Sequence, residues 1–231
     1  MKVIFVHGSG AYGGVWRYQT KYFPDSDAVD LPGHLCGQTL DSVEEYADWL
    51  KEYIEGKVYM DVVLAGHSFG GAIALMLALK HPRDLSGIII IGSGARLKVH
   101  PLYLTTFGKA TKGDVRKWHQ FLEEIYCFTP QGYRSDVLEK HKAIGPAAML
   151  SDLLCCDKFD LTDRLQEINL PTLIICGELD TMTPVKYADY LGAKLANSRV
   201  EIISQATHFV FAEKPVAVNK AIEDFIERIS S

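Results

Sequence analysis

The chain has 231 residues, of which 48% are hydrophobic and 23% charged, and its formal net charge is −5. Acidic and basic residues are interspersed without the basic excess typical of nucleic-acid-binding proteins, so this class of partner is excluded. No apolar run approaches the roughly 18 residues of a transmembrane helix, and the N-terminal run is too short for a signal peptide. The sequence therefore predicts a cytoplasmic protein with one hydrophobic core and no membrane span.

Apolar runs alternate with helical patterns along the chain, which predicts an α/β fold with a mostly parallel sheet flanked by helices. The predicted strands are residues 2–6, 27–30, 61–66, 87–92, 171–176 and 199–203. The predicted helices are residues 41–55, 69–80, 184–195 and 215–229. Asp41 is the expected N-cap of the first helix, with Glu44 completing a capping box, and Pro184 suits the first turn of the third helix.

The first predicted strand leads directly into the segment His7-Gly8-Ser9-Gly10, and the pair Gly13-Gly14 lies just beyond it. This density of glycine supports a loop that lines a site, the alternative being that Ser9 and Gly10 are plain loop residues. His7 is expected to hydrogen-bond to the backbone of this loop.

The third predicted strand ends in the pentapeptide Gly66-His67-Ser68-Phe69-Gly70, and an alanine-rich helix follows. A strand, a sharp turn and a helix form the context that the G-x-S-x-G nucleophile elbow requires. The turn strains the backbone of Ser68, and side chains at positions 66 and 70 would collide with the adjacent helix. It also places the N–H of Phe69 at a helix N-terminus, which favours developing negative charge. The alternative is a glycine-rich turn with an incidental serine.

Residues 95–165 break the alternation, because they show helical patterns and no convincing strand. Apolar residues recur there at helical spacing in two runs, through Trp118, Phe121, Leu122, Ile125 and Tyr126 and then through Met149, Leu150, Leu153 and Leu154. We expect a helical lid over Ser68, with residues 1–94 and 166–231 forming the core of a single structural domain. Within it, the candidate substrate-binding residues are Trp118, Phe121 and Leu122, the alternative for each being packing on the core. The lid is expected to control substrate selection more than the reaction itself.

Two polar residues follow the last two predicted strands. Asp180 ends the segment Gly177-Glu178-Leu179-Asp180, and His208 follows residues 199–203. A serine hydroxyl needs an imidazole to accept its proton, and the imidazole needs a carboxylate to fix its tautomer. The order serine, aspartate, histidine is one of those known for serine hydrolases. Asp157 and Asp160 are alternatives to Asp180, but neither follows a predicted strand.

The other cysteine and histidine positions do not indicate a disulfide or metal site. The five cysteines are an odd number without C-x-x-C spacing, which indicates reduced and mostly buried thiols. The histidines lack the spacing of a zinc motif such as H-E-x-x-H, and His67 is expected to be structural. We therefore expect neither a metal nor a cofactor.

Together these motifs resemble the α/β-hydrolase superfamily over nearly the whole chain. The resemblance is carried by the N-terminal HG segment, the G-x-S-x-G elbow, the P-T-L-I-I-x-G-x-x-D run ending at Asp180, the late histidine and an amphipathic final helix. Asp30-Leu31-Pro32-Gly33-His34 is similar to the family's D-x-P-G-H-G segment, except that Leu35 replaces its final glycine, without an expected catalytic consequence. The resemblance implies an α/β-hydrolase fold with a helical lid inserted before the acid-bearing strand. It also implies that the N–H of Ser9 is a second oxyanion donor beside that of Phe69.

Within that superfamily the sequence is similar to small serine esterases with a lid. The expected reaction is hydrolysis of small to medium carboxylic esters through an acyl-enzyme. Ser68 attacks, His208 acts as base and then acid, and Asp180 orients His208. The expected partner is a small-molecule ester, and no oligomeric state is predicted. The alternatives are a C–C-bond hydrolase or lyase, or a ligand receptor that keeps the triad on the same scaffold.

Overall fold

Six strands form a parallel sheet in the computed structural model, which describes residues 1–230. They are β1 (Lys2–Val6), β2 (Asp27–Val29), β3 (Val62–His67), β4 (Leu85–Ile91), β5 (Thr172–Gly177) and β6 (Ser198–Ile203). Their order across the sheet is β2-β1-β3-β4-β5-β6, and every neighbouring pair is parallel. The carboxyl ends of all strands therefore meet at one edge, where ligands of open α/β sheets bind.

Helices connect the strands and cover both faces of the sheet. In residues 1–230 they are α1 (Arg17–Tyr22), α2 (Val43–Gly56), α3 (Phe69–Lys80), α4 (Pro101–Ala110), α5 (Arg116–Ile125), α6 (Gln131–Ile144), α7 (Pro146–Lys158), α8 (Val185–Lys194), α9 (Val210–Glu213) and α10 (Pro215–Ser230). None of these described helices combines the length and the apolar character needed to cross a bilayer.

Alternate side chains of the central strands supply two hydrophobic cores, one on each face of the sheet. On one face, Ile4 and Val6 of β1 belong to a cluster with residues of α2, α3 and α8. On the other face, Val3 and Phe5 belong to a cluster with Trp16, α10 and parts of the helices between β4 and β5. Strands β3 and β5 are buried along their whole length, as expected for parallel strands covered on both sides.

The predicted α/β fold is confirmed. Every predicted strand and helix is present, and none of their ends is displaced by more than two residues. The sheet is wholly rather than mostly parallel. Helices α1 and α9 are missing from the sequence-based prediction because six and four residues are too few to show a helical period. Pro184 has an extended backbone and immediately precedes α8, rather than lying in its first turn.

The N-terminus of α2 corrects the predicted capping box. The N-cap is Ser42 rather than Asp41, and its Oγ accepts a hydrogen bond from the N–H of Glu45 at 3.2 Å. The Glu45 carboxylate accepts in return from the N–H of Asp41 at 3.0 Å. Val43 is the first helical residue, and Ser42 has extended dihedral angles. The cap therefore lies one residue later than predicted, and it uses Glu45 rather than Glu44.

Helices α4 to α7 all lie between β4 and β5, in the segment that the sequence sets apart. We call residues 95–165 the insertion. Its two ends are joined, because the N–H of Leu161 donates to the carbonyl of Ala95 at 2.7 Å. Arg96 and Asp160 form an isolated antiparallel bridge and an ion pair at 3.4 Å beside it. The last helix of the insertion, α7, returns to contact α3 of the core.

Candidate active site

Ser68 lies at the sharp turn between β3 and α3. Its backbone has φ 53° and ψ −114°, a conformation that is strained for a residue with a side chain. A Cβ on Gly66 would lie 2.1 Å from the carbonyl oxygen of Gly70, and one on Gly70 would lie 2.4 Å from that of Val6. Both positions therefore require glycine because backbone segments approach closely there. The turn leaves Ser68 half-buried at the carboxyl edge of the sheet.

Asp180 and His208 form a buried hydrogen-bonded pair in the loops after β5 and β6. Nδ1 of His208 lies 2.8 Å from Oδ2 of Asp180, and both residues are buried. A carboxylate accepts hydrogen bonds, so Nδ1 carries a proton and Nε2 is the ring nitrogen left to accept one.

Further donors hold the Asp180 carboxylate in place. Its Oδ1 accepts from the N–H groups of Met182 at 2.8 Å and Thr183 at 2.9 Å, and its Oδ2 accepts from the Thr183 hydroxyl at 2.8 Å. Burial by itself raises the pKa of the Asp180 carboxyl, but His208 and Thr183 outweigh burial, and the net pKa lies below the ordinary value of 3.8. Asp180 is therefore an anion at neutral pH.

Two contacts fix the backbone around His208. The N–H of Thr207 donates to Glu213 Oε2 at 2.7 Å, and Nε2 of His67 donates to the carbonyl of His208 at 3.0 Å. Burial lowers the pKa of His67 well below its usual range, so this ring is neutral. His67 thus supports the loop that carries the candidate base.

The predicted oxyanion donors are the backbone N–H groups of Phe69, which follows Ser68 in the chain, and of Ser9, which lines the cavity at Ser68. Phe69 is the first residue of α3, so its N–H has no partner within the helix. Ser9 belongs to a turn after β1 that is closed by a hydrogen bond from the N–H of Ala11 to the carbonyl of Gly8, at 3.2 Å. Ser9 and Ser68 line the same cavity. This arrangement can bind an oxygen that becomes negatively charged.

His7 is held by the backbone at both ring nitrogens. Its Nδ1 donates to the carbonyl of Gly8 at 2.9 Å, and its Nε2 accepts from the N–H of Leu31 at 3.1 Å. Burial lowers the pKa of His7 well below its usual range. A neutral ring with both nitrogens engaged supports the loop and has no free nitrogen for proton transfer.

Ser68 and His208 line two adjoining chambers beneath the insertion. The narrow chamber has a volume of about 60 Å³ and mostly aromatic and aliphatic walls. The wide chamber has a volume of about 240 Å³ and adds polar and cationic side chains. Residues shared by both chambers are Ser9, Ser68, Tyr103, Leu153, Met182 and His208. Helices of the insertion therefore enclose the candidate nucleophile.

Of the three candidate pocket residues, Phe121 lines the narrow chamber, whereas Trp118 and Leu122 line neither. Leu122 is fully buried, and Nε1 of Trp118 donates to the sulfur of Met149 at 3.4 Å. Residues four apart share a helix face, so Trp118 and Leu122 point together into the packing of the insertion and Phe121 points elsewhere. We therefore retain Phe121 alone as a pocket residue.

The chambers also contain residues that the sequence does not single out. Tyr103 and Phe107 lie four residues apart on α4, with ring centroids 6.1 Å apart, and both contact Phe121. An aromatic pair at this spacing in the insertion is the signal that could have identified them. Met182 and Thr183 show no such pattern, and only their position after Asp180 could have indicated them.

The other candidate groups are the alternatives to Asp180, the cysteines and the possible metal ligands. Asp157 pairs with Lys98 at 3.5 Å and Asp160 with Arg96 at 3.4 Å, so the alternatives to Asp180 bond to cations at the base of the insertion. All five cysteines are free thiols, and three of them are buried. Within residues 1–230, no group of three or more histidine, cysteine or acidic side chains could hold a metal ion.

Comparison with known proteins links this geometry to a family. A family model described as "Alpha/beta hydrolase family" matches residues 3–221. The chain is 28% identical to a pimeloyl-[acyl-carrier protein] methyl ester esterase of Aeromonas hydrophila, over 97% of this chain and 94% of that protein. The chain is 30% identical to the enzyme of the same name from Neisseria meningitidis serogroup C, over 99% of this chain and 94% of that protein. A solved lipase-esterase related protein from Clostridium acetobutylicum aligns with a TM-score of 0.80 at 27% identity, over 97% of this chain and 93% of that one.

Proposed function

Because the chain belongs to the α/β-hydrolase family, we propose that Ser68, His208 and Asp180 form its catalytic triad. The protein is an ester-hydrolysing enzyme, in keeping with the esterases it is similar to. One observation carries the assignment of residues. A serine on a strained elbow lines the same chamber as a histidine whose Nδ1 is bonded to a buried carboxylate.

In the proposed reaction, Ser68 Oγ attacks the ester carbonyl carbon while Nε2 of His208 takes the hydroxyl proton. The carbonyl oxygen becomes an oxyanion, which the N–H groups of Ser9 and Phe69 bind. The tetrahedral intermediate then breaks its bond to the alcohol oxygen, which leaves with the proton from His208 and produces an acyl-enzyme. Water attacks the acyl group with His208 again as base, and the carboxylic acid and free Ser68 are released.

Asp180 and the two N–H donors contribute by being in place before charge develops. The pKa of Asp180 lies below its ordinary value, so its negative charge stabilises His208 whenever that ring is protonated. The donors at Ser9 and Phe69 belong to the backbone and need little rearrangement to bind the oxyanion. In other hydrolases the loss of one such donor costs roughly 2.7–4 kcal/mol of transition-state stabilisation.

The two chambers support a substrate with one small arm and one larger arm. A cavity needs about 10–15 Å³ to hold one water-sized group. The narrow chamber, at about 60 Å³, therefore holds only a few non-hydrogen atoms. Its apolar walls, which include Phe107, Phe121 and Ile125, suit a short alkyl group such as the methyl of a methyl ester. The wide chamber, with Lys98 and Tyr187 in its wall, takes the larger acyl arm. The relatives from Aeromonas and Neisseria are named for a methyl ester of a longer acid.

We assign the insertion as a lid that selects the substrate. Its helices α4 and α5 supply Tyr103, Phe107 and Phe121 to the chamber walls, and α7 supplies Leu153. Apolar side chains bind alkyl groups in proportion to the area removed from water, at roughly 25 cal/mol per Å². Small and medium esters with apolar arms are therefore the expected substrates.

The test compares three esters on the wild-type protein and on Ser68→Ala. We expect turnover of methyl octanoate, and turnover of octyl octanoate that is slower by about tenfold or more, because the narrow chamber rejects a second long arm. Octyl acetate shows whether the small arm can be the acyl group. Ser68→Ala should retain a cooperative melt but lose both ester turnover and labelling by a fluorophosphonate probe. Ser135→Ala, an exposed serine of the insertion, is the matched control and should label normally.

Three outcomes would contradict parts of this proposal. Normal labelling of Ser68→Ala would place the nucleophile at another residue. A single stoichiometric release of alcohol by the wild-type protein, without turnover, would indicate the ligand receptor. Equal rates with methyl octanoate and octyl octanoate would overturn the assignment of the two chambers while leaving the triad untouched.

A further inference from the structure

A second buried carboxylate lies outside the candidate triad, on helix α7 of the insertion. Asp152 is fully buried, and its Oδ2 accepts from the N–H of Gly10 at 2.8 Å and from Nε2 of His34 at 2.9 Å. Its Oδ1 accepts from the hydroxyl of Tyr46 at 3.4 Å. A buried carboxylate is tolerated only where such donors replace water. Three separate segments of the core thus converge on one side chain of the insertion.

The loop that contains Gly10 packs directly against one face of α7. A Cβ on Gly10 would lie 2.8 Å from the Cβ of Met149, one turn before Asp152. One turn after Asp152, the sulfur of Cys156 lies 3.9 Å from the hydroxyl oxygen of Ser9. Positions three and four residues apart share a helix face, so these three side chains form a continuous support for the loop. Gly10 has φ +67°, which together with the close helix explains why it is glycine.

His34 is hydrogen-bonded at both ring nitrogens and holds the buried carboxylate through one of them. Its Nδ1 donates to the carbonyls of Leu31 and Pro32, each at 3.2 Å, which leaves Nε2 for Asp152. Burial by itself lowers the pKa of His34, but Asp152 and the two carbonyls outweigh burial, and the net pKa lies above 6.5. When the ring is protonated, it donates from Nε2 to Asp152, and the opposite charges then adjoin each other.

We propose that Asp152 is a positioning residue, which acts through the peptide between Ser9 and Gly10 to hold the N–H of Ser9 ready for the oxyanion. The inference rests on the proposed function of Ser9. The N–H that Asp152 binds belongs to the peptide that follows Ser9, so fixing it restricts rotation of Ser9, which lines both chambers. An oxyanion donor must lie within about 2.7–3.1 Å of its target, so a small rotation of this peptide weakens it. The insertion then takes part in catalysis as well as in substrate choice.

Two substitutions at position 152 test this role. In Asp152→Ala the acceptor is lost, and kcat/KM should fall about 10- to 100-fold, mainly through kcat, with KM changed by less than about threefold. In Asp152→Asn a neutral oxygen still accepts from Gly10, although more weakly, so kcat/KM should fall only about 3- to 10-fold. The shape of the side chain is kept in Asp152→Asn, which keeps the test valid if the alanine variant does not fold.

A transition-state analogue separates positioning from a merely structural role. Phenylboronic acid forms a tetrahedral adduct on a nucleophilic serine, and an oxygen of that adduct occupies the oxyanion site. Its inhibition constant should rise by the same factor as kcat/KM falls in each variant. All values are normalised to active sites counted with a fluorophosphonate. Asp136→Asn is the matched control, because this insertion carboxylate also bonds to the core, through Arg17 at 2.8 Å, but it is exposed. Its activity should stay within about twofold.

The outcomes distinguish this inference from the proposed function. If the Asp152 variants melt at lower temperature but keep kcat and the boronic acid affinity per active site, Asp152 is only structural and the inference is wrong. A rise in KM alone would also overturn it. If the wild-type protein itself fails to react with the fluorophosphonate or the boronic acid, the proposed function of Ser68 fails first.

Discussion

Two carboxylate–histidine pairs are buried in this protein, and their first contacts are nearly the same. Asp180 binds His208 at 2.8 Å, and Asp152 binds His34 at 2.9 Å. Each carboxylate also accepts a backbone N–H and a hydroxyl donor. Distance and burial of the carboxylate therefore do not separate a candidate catalytic pair from a positioning pair.

The pairs differ at the second nitrogen of each histidine. His208 uses Nδ1 for its carboxylate, and its ring lines both chambers next to Ser68. His34 uses Nε2 for its carboxylate and gives Nδ1 to the carbonyls of Leu31 and Pro32. A histidine transfers protons only if one nitrogen reaches a reacting group, and both nitrogens of His34 are engaged. We therefore give the candidate catalytic role to the pair whose histidine lines the chambers beside Ser68.

The largest expected contrast between the pairs is in the rate. Asp180→Asn should reduce kcat by about 10³- to 10⁴-fold, because an amide can hold the wrong tautomer of His208 and cannot stabilise its cation. The same change at Asp152 should reduce kcat/KM by only about 3- to 10-fold. Steady-state kinetics on one methyl ester, with active sites counted in each variant, gives both numbers. Similar losses in the two variants would show that the pairs are not functionally distinct.

A smaller contrast is expected in the pH dependence of stability. The Asp180 pair should lose its stabilising contribution at low pH, and the His34 pair should lose its contribution at high pH. The pKa of Asp180 is lowered on folding, so its contribution is present above about pH 4 and is lost as pH falls through the folded-state pKa. The pKa of His34 is raised on folding, so its contribution is full below 6.5 and is lost as pH rises through the folded-state pKa. The stability lost in His34→Gln should thus be about 2 kcal/mol near pH 6 and shrink towards pH 9.

Urea unfolding of wild-type and variant proteins at each pH measures this difference. Burial lowers the pKa of His7, His67 and His141, the last to about 3, so these rings destabilise the fold as pH falls below 6.5. The effect of His67 cancels in the difference, because its surroundings are the same in both proteins. The charge of His34 contributes to the lowered pKa of His7 and His141, so His34→Gln also relieves part of their destabilisation at low pH. His81→Gln, at a partly exposed histidine 3.6 Å from Asp48, is the matched control and should change stability little. A His34→Gln difference that stays constant from pH 5 to 9 would contradict the assigned charge.

The smallest contrast concerns the hydroxyl donors. Thr183→Val removes a 2.8 Å hydrogen bond to Asp180. Tyr46→Phe removes a 3.4 Å hydrogen bond to Asp152, together with the acceptor of the Leu40 N–H at 3.2 Å. We expect kcat/KM to fall about 3- to 10-fold in the first variant and less than about twofold in the second, since the longer bond is weaker. A larger loss in Tyr46→Phe than in Thr183→Val would show that Tyr46 is an essential support of the Asp152 site.

The sequence predicts the first pair and not the second for a physical reason. Ser68, Asp180 and His208 each follow a strand, and parallel strands bring such positions to one edge of the sheet, so local patterns suffice. Asp152 lies in the middle of a helix, and its partner Gly10 is 142 residues away in the chain. No local pattern encodes that contact. The usable sequence signal is an acidic residue on the same helix face as the apolar Met149 and Cys155. It indicates that Asp152 has a buried hydrogen-bond partner, but it does not identify that partner.

Asp152 also changes what is expected of the insertion. The sequence predicts that these helices select substrates, since the triad and both oxyanion donors lie outside them. With Asp152 bound to Gly10, replacing residues 95–165 by a short linker would also remove a support of the oxyanion loop. Such a variant should lose reactivity with small probes as well as chain-length selection, so point substitutions are the cleaner experiment.

The bond between Gly10 and Asp152 has a consequence for the order of events during biosynthesis. The loop around Ser9 leaves the ribosome well before α7, so its support is made only after α7 has been synthesised. Joining points so distant in the chain is entropically slow, and the connection must wait for the intervening elements to fold. The nascent chain therefore carries Ser68 long before the loop of the proposed oxyanion donor Ser9 is supported, and on the proposed roles the site is completed only as the fold is completed.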